Sequence, residues 1–458
     1  MNNINENIFR DYDIRGIAHE DLDKKNVYKI GVAIGTILNE KNKKAIVIGY
    51  DNRESSVYIF NALTKGLIET GINIVNIGLV TTPMYYFALK YLKINAGIMI
   101  TGSHNPKKYN GMKISFNGNY NAHGKDIKNI YDVIKKGLFH SGKGSLKKKN
   151  IKGEYIDYIK SSINIKPNKL KVVIDPGNGT ASIIIKDIFD SLKIDYIAIN
   201  DISDCNFPNH HPDPSIKKNM QDLKEAVIKY KADVGFAYDG DADRMGMVDS
   251  RGNIIEIEEV MIIFIRNIIN KYDNKKIVYD VKCSRILKEE IEKLNGIPIE
   301  IRTGNPYLRA KITNENIIFG GEFSGHIFFN DKFYGADDGI YVSLRMIEVL
   351  INSNKKVIEL LKGVKKYYTS DEEDIKINDN IKFEIIEKIK KYCIQKKYNI
   401  LDIDGCKALF EDGFALVRAS NTAPSIRTKF EADSKERLIE IENEFKNIIY
   451  ELIKNLTD

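Results

Sequence analysis

Three aspartates alternate in the segment Asp239-Gly-Asp-Ala-Asp-Arg244. Alternate residues of an extended chain share a face, so the carboxylates of Asp239, Asp241 and Asp243 converge, while Gly240 and Ala242 let the backbone turn in close. Hard oxygens with room left for water and a phosphate suit magnesium. The rival pattern is a calcium EF-hand loop, which needs glycine and glutamate where this chain has Arg244 and Ser250, and a helix where a strand pattern precedes the loop. A solvated acidic turn is the plainer alternative. Carboxylates this close repel one another without a cation, which favours the metal.

A second loop, Thr101-Gly-Ser-His-Asn-Pro106, brackets Ser103 between Gly102 and Pro106 and so presents its hydroxyl at the end of an apolar strand. His104 is adjacent and enters as a catalytic candidate. Neighbours in extended chain point to opposite faces, however, and no nucleophile-elbow spacing of glycines is present. A hydroxyl facing a magnesium site reads as an oxygen that carries a phosphoryl group. Glu322, Ser324 and His326 alternate in a third loop, as gripping neighbouring sugar hydroxyls requires. Arg418 combines with Ser420, Asn421 and Thr422 in a fourth, which is either an anion cradle or an ordinary turn with a surface arginine. A near match to a P-loop at Gly137, Gly142 and Lys143 is set aside, because Gly144 follows where a hydroxyl is needed and no strand precedes it.

The first three loops close the same supersecondary pattern, written three times. Each copy starts with an apolar strand ending in aspartate, namely Ala45-Ile-Val-Ile-Gly-Tyr-Asp51, Lys171-Val-Val-Ile-Asp175 and Lys276-Ile-Val-Tyr-Asp280. Helical patterning, a second strand, more helix and a third strand follow, and the third strand runs into the chemical loop. Strand alternating with helix predicts layered α/β units whose ligands bind beyond the carboxyl ends of the strands. The three loops therefore converge on one site. The closing aspartates lie about a hundred residues apart, which suits one domain per copy. We divide the chain into residues 1–150, 151–255, 256–368 and 369–458, with a glycine-lysine connector ending the first unit and Thr369-Ser-Asp-Glu-Glu-Asp374 a polar linker into the last. That last unit reads as helix, two strands and a long amphipathic helix, a small α+β domain.

Composition excludes several classes. A hydrophobic fraction of 43% with 29% charged residues is that of a soluble globular protein, and no apolar stretch is long enough to span a bilayer. The start, Met1-Asn-Asn-Ile-Asn-Glu-Asn, lacks the marks of a secretory signal, so a cytoplasmic protein is expected. Four scattered cysteines fit reduced thiols rather than a disulfide framework or a zinc site. The net charge of +7 is dispersed among 63 acidic residues, which speaks against nucleic acid and for a small phosphorylated substrate.

Together and in this order, the loops resemble those of the α-D-phosphohexomutase superfamily, most closely its bacterial phosphomannomutase/phosphoglucomutase members. The likeness extends to Phe9-Arg-Asp-Tyr-Asp-Ile-Arg-Gly16, to the run from Thr101 through Lys113, to Asn206-Phe-Pro-Asn-His-His-Pro-Asp-Pro214 and to Asp280-Val-Lys-Cys-Ser-Arg285. It implies three α/β domains with mixed sheets and a fourth domain like a TATA-binding-protein fold around a central cleft. It also implies reversible interconversion of hexose 6-phosphate and hexose 1-phosphate, mannose or glucose, with a hexose 1,6-bisphosphate as intermediate and activator. By the same likeness Ser103 is phosphorylated, and magnesium is held by Asp239, Asp241 and Asp243 and touches the phosphoserine. Arg15, Lys113 and Arg244 surround the transferring group, whose transfer depends on positioning and charge neutralisation. Glu322 and Ser324 bind the sugar 3- and 4-hydroxyls, Arg418, Ser420, Asn421 and Thr422 hold the phosphate that is not reacting, and Tyr12 and Lys282 line the cleft.

One departure stands out. The family carries histidine after the Thr-Gly of the third unit, where this chain has Arg302-Thr-Gly-Asn305-Pro306. Asparagine cannot accept a proton near neutral pH, which leaves Lys282 and His326 as candidates for proton handling, with Lys282 expected to act as the base. Phosphoglucosamine mutase is the near rival within the superfamily, but its serine and phosphate loops read differently. A sugar-phosphate-binding protein without turnover is the non-enzyme alternative, motivated only by Asn305.

Overall fold

The computed structural model describes residues 4–118, 121–378, 380–420 and 424–457. The three copies fold alike. In the first, Ala45–Tyr50 lies between parallel strands Asn73–Leu79 and Gly97–Ile100, and Tyr109–Ser115 returns antiparallel beside the latter. The second repeats this with Lys171–Asp175 between Asp195–Ala198 and Val234–Tyr238, and with Met245–Asp249 returning. In the third, Lys276–Asp280 lies between Ile297–Ile301 and Phe319–Gly321, and Ile327–Phe329 returns. Each sheet is therefore mixed. Each chemical loop is the turn between a parallel strand and its antiparallel return, at the carboxyl end of the sheet.

Period-two alternation sorts the side chains. Ile46 and Ile48 enter the outer core of the first domain, whereas Val47 between them enters a second core shared with the other two α/β domains. Helix Thr82–Tyr91 packs into that shared core: Thr81 caps its first turn by accepting from Met84 N at 3.1 Å, and Phe87 packs edge-on against Tyr155. The Tyr155 hydroxyl donates to Asp338 Oδ2 at 2.5 Å, tying the second domain to the third.

The last domain is an antiparallel sheet sharing one core with helices Lys382–Gln395 and Lys435–Thr457. Along Gly413–Ala419, Ala415, Val417 and Ala419 face those helices, while Phe414 and Leu416 meet Val281 of the third domain. The same alternation carries Arg418 to the third-domain side. The segment read as a polar linker from Thr369 to Asp374 is corrected here: Tyr368–Thr369 and Glu373–Lys376 both pair with Ser425–Ala432. Its polar side chains lie on an edge, where only Ile375 needs burial, so the strand has no strong apolar period. The lysine-rich connector likewise adds an exposed edge strand, Leu146–Lys148, to the first sheet. All four cysteines are free, and no helix among the described residues is long and apolar enough to cross a membrane.

Candidate active site

Two of the closing aspartates act on the chemical loops directly. Asp51 Oδ2 accepts from Gly102 N at 2.9 Å, and Asp280 Oδ1 accepts from Phe323 N at 2.9 Å. Asp175 instead braces its own turn, through Gly177 N, and His210. The serine and aspartate loops touch: a Cβ on Gly240 would lie 2.5 Å from the Ser103 carbonyl oxygen, so only glycine permits the approach.

Ser103 Oγ lies 3.3 Å from Asp239 Oδ2 and 3.3 Å from His104 Nδ1. The second contact corrects the expectation that Ser103 and His104 point apart. The chain is not extended there: Ser103 has φ of +48°, a left-handed turn that swings both side chains to one side. Burial and the nearby Arg244 and Arg15 hold the His104 imidazole well below its usual pKa, so it is neutral.

Asp239, Asp241 and Asp243 are buried, not solvated, and their oxygens lie within 4.8 Å of one another. Lys113 Nζ bridges Asp241 at 2.8 Å and Asp243 at 2.5 Å, and Thr82 Oγ1 donates to Asp241 at 2.6 Å. Burial opposes charge on Asp241, but Lys113 and Thr82 outweigh it and pull its pKa down. Asp239 and Asp243 move the other way, raised by burial and then by repulsion from the other carboxylates. Asp241 Oδ1 and Asp243 Oδ1 are buried without a hydrogen-bond partner. Orphaned hard oxygens and carboxylates raised by mutual repulsion fit a small divalent cation such as magnesium.

Three cations face this centre. Arg15 is aimed by Asp13 Oδ2 at 2.5 Å and by the Thr101 carbonyl at 3.1 Å. Lys113 is the second, its pKa raised by Asp241 and Asp243 against the effect of burial. Arg244 Nε is 3.9 Å from Asp239 Oδ2 and donates to His326 Nε2 at 3.0 Å. His326 Nδ1 lies 2.7 Å from Asp337 Oδ2 and 3.5 Å from Asp243 Oδ1. Burial opposes protonation of this ring, yet Asp243 and Asp337 lift its pKa above the usual value. His326 thus faces Asp243 and Asp337, while Glu322 lies within reach of its charge. Asn305 donates to the same Asp337 oxygen.

On the other side, Glu322 Oε1 accepts from Gly304 N at 2.6 Å, and burial raises its pKa. Ser324 is half-buried in the tight turn before Gly325, and the Tyr12 hydroxyl is pushed up to about 12 by burial and then Asp13. Lys282 Nζ is 3.5 Å from Glu372 Oε2 and stands over the Phe323 ring, at the seam with the last domain. Across that seam Arg418 is buried and held by Asp404, with Nε at 3.1 Å and Nη2 at 3.0 Å from Oδ2. Ser420 is buried beside it; Asn421 and Thr422 lie outside the described residues. Sequence reading missed Arg53, Thr82, Asp337 and Asp404, which reach the site from distant segments. A signal existed for Arg53 alone, an arginine two residues after a strand-closing aspartate.

Comparison with known proteins places similar chains beside this geometry. Four profiles described as phosphoglucomutase/phosphomannomutase alpha/beta/alpha domains I, II and III and C-terminal domain match residues 6–141, 153–252, 257–367 and 372–448. A phosphomannomutase/phosphoglucomutase of Pseudomonas syringae pv. tomato is 37% identical over 440 residues, 96% of this chain and 94% of that one. A phosphoglucomutase of Neisseria gonorrhoeae is 36% identical over 453 residues, 98% of each. The crystal structure of a phosphoglucomutase/phosphomannomutase family protein from Burkholderia thailandensis aligns with a TM-score of 0.90 at 33% identity, covering 97% of both chains.

Proposed function

The chain belongs to the phosphoglucomutase/phosphomannomutase family and interconverts hexose 1-phosphate and hexose 6-phosphate, and we propose that it does so through a phosphoserine at Ser103. The observation that carries this reading is the Ser103 hydroxyl 3.3 Å from Asp239, beside buried carboxylate oxygens that accept no hydrogen bond from the described residues. Magnesium held by Asp239, Asp241 and Asp243 would supply the positive charge that a phosphoryl group needs as it moves. Arg15, Lys113 and Arg244 add the chain's own.

Transfer breaks the bond between phosphorus and Ser103 Oγ and forms one to the free hydroxyl oxygen of the sugar phosphate. The hydroxyl proton needs an acceptor. His326 Nε2 carries a lone pair on the side of the reacting loops, and its other nitrogen is oriented by Asp337; Lys282 is engaged with Glu372 at the seam instead. We therefore assign the proton to His326, which becomes available when Arg244 leaves Nε2 for the phosphoryl group. The resulting 1,6-bisphosphate turns over, returns its other phosphoryl to Ser103 Oγ, and takes the proton back on the freed oxygen.

On this reading Glu322 and Ser324 grip neighbouring sugar hydroxyls, and Arg418 with Ser420 holds the spectator phosphate. A grip away from carbon 2 admits both glucose and mannose. Coupled assays should find turnover of both 1-phosphates within about a hundredfold of each other, since one inverted hydroxyl outside the grip costs only a few kcal/mol. Intact-mass analysis should find one phosphoryl group, and Ser103→Ala should lose it with at least about a hundredfold of turnover. Full activity in that variant would overturn the reading.

A further inference from the structure

The serine loop owes its shape to one side chain that the chemistry does not consume. Arg53 is buried and ion-paired to Asp51 Oδ2 at 3.3 Å. Its Nη1 donates to the carbonyls of Pro106 and Tyr109, each at 3.0 Å, and its Nη2 to those of Ser103 at 2.8 Å and Asn105 at 2.6 Å. Four carbonyls of one loop thus converge on one guanidinium. A Cβ at Gly102 would stand 2.3 Å from Arg53, so the loop backbone lies directly on the fork. The guanidinium carbon is also 5.6 Å from the Phe207 ring centre, which brings the second domain onto the same group.

The strain lies at the residue this grip encloses. Ser103 has φ of +48°, a conformation that L-residues with side chains hold only when their surroundings over-determine it. In an ordinary extended conformation Ser103 and His104 would alternate, and the Oγ that now meets Asp239 would turn away. Asp51 fixes the amide at Gly102, Arg53 fixes the carbonyl at Ser103, and the turn between them has no freedom left.

We propose that Arg53 is the positioning residue that aims the Ser103 hydroxyl at the metal-binding aspartates, an inference that rests on Ser103 being the phosphoryl carrier. Lysine keeps the charge but, as a point donor, cannot satisfy the fork. In the full-length protein with magnesium and bisphosphate present, Arg53→Lys should lower kcat by about thirtyfold or more while KM for glucose 1-phosphate changes less than about threefold, because the spectator-phosphate and sugar-hydroxyl contacts assigned to Arg418, Ser420, Glu322 and Ser324 lie in other domains. Millimolar guanidinium should restore part of the lost kcat to Arg53→Ala and nothing to Ser103→Ala. A merely structural Arg53 would lower the melting temperature and the folded yield without this kcat-against-KM split or rescue. If Arg53→Ala does not fold, Arg53→Lys carries the test alone. Wild-type kcat in Arg53→Lys, with Ser103→Ala inactive, overturns the positioning role; an active Ser103→Ala instead overturns the phosphoserine reading on which it rests.

Discussion

Lys113 of the first domain and Asp241 of the second are joined by a hydrogen-bonded ion pair of 2.8 Å, and the same ammonium reaches Asp243 at 2.5 Å. The single positive charge is therefore shared between two of the three carboxylates that would hold a metal. Removing one partner of a buried pair leaves uncompensated charge, typically at a cost of about 3 kcal/mol or more. Lys113→Met should lower the melting temperature without magnesium, and added magnesium should restore much of the loss. Metal affinity should rise, since a competitor for the same oxygens is gone, while turnover falls by on the order of a hundredfold for want of charge on the transferring group. Calorimetric titration with magnesium and melting curves at two metal concentrations check this. An unchanged metal-free melting temperature would contradict the assignment.

Asp338 offers a pH test at the contact between the second and third domains. Its side chain caps helix Gly339–Ser353 and accepts from Tyr155, yet burial raises its pKa to about 7, against the opposing pull of those hydrogen bonds. A carboxyl whose folded pKa exceeds its unfolded value holds its proton more tightly when folded. Its contribution to stability is thus fully present below the unfolded pKa near 4 and is lost as pH rises through about 7, by on the order of 4 kcal/mol at roughly 1.4 kcal/mol per pKa unit. Asp338→Asn keeps the cap without the charge. The gap between the urea midpoints of wild type and variant should grow in favour of the variant from pH 4 to pH 7 and level off by pH 7.5. Parallel curves across that range would place the titration elsewhere.

Much of the fold was legible because three strand-closing aspartates and three apolar strand sets recur at domain spacing, and period-two burial then decides which face each residue takes. The loops were legible as chemistry because Asp239, Asp241 and Asp243 are close in the chain. Contacts made across the chain were not. Asp404 meets Arg418, Asp337 meets His326 and Arg53 meets four carbonyls only once each domain has folded and brought separate segments together. Nor does the sequence around Ser103 announce its left-handed turn, because that conformation is imposed by Asp51 and Arg53 rather than by a local glycine at residue 103. The edge strands beside Ser425–Ala432 escaped for another reason: one buried face on an edge needs almost no apolar pattern.

Arg418 and Asp404 should behave as one unit. The carboxylate aims the guanidinium through two contacts near 3 Å and also accepts from Thr303 N at 3.0 Å, so it ties the phosphate loop to the third domain. A spectator phosphate is held equally in ground and transition states, and uniform binding appears in KM. Arg418→Ala should raise KM by about tenfold or more with kcat within about threefold, and Asp404→Asn should do the same more weakly. A loss confined to kcat in either variant would move Arg418 to the reacting phosphoryl group.

The identity of the base is the sharpest question, because the chain has Asn305 where the resemblance leads one to expect a histidine. Asn305 instead donates to Asp337, whose other neighbour is His326 Nδ1, so the asparagine serves to orient the acceptor that orients the imidazole. Lys282 was the expected base, but its amine stands 3.5 Å from Glu372 at the seam with the last domain. His326→Gln keeps a hydrogen-bonding side chain but cannot take a proton, and should lower kcat by about a hundredfold with KM little changed. Lys282→Met should act mainly through KM, as loss of a cation near the substrate phosphate would. Asn305→His should change turnover only modestly, since Asp337 keeps His326 as its partner. Kinetics of the three variants with glucose 1-phosphate decide among them: a near-wild-type kcat in His326→Gln beside a collapsed kcat in Lys282→Met would return the proton to the lysine.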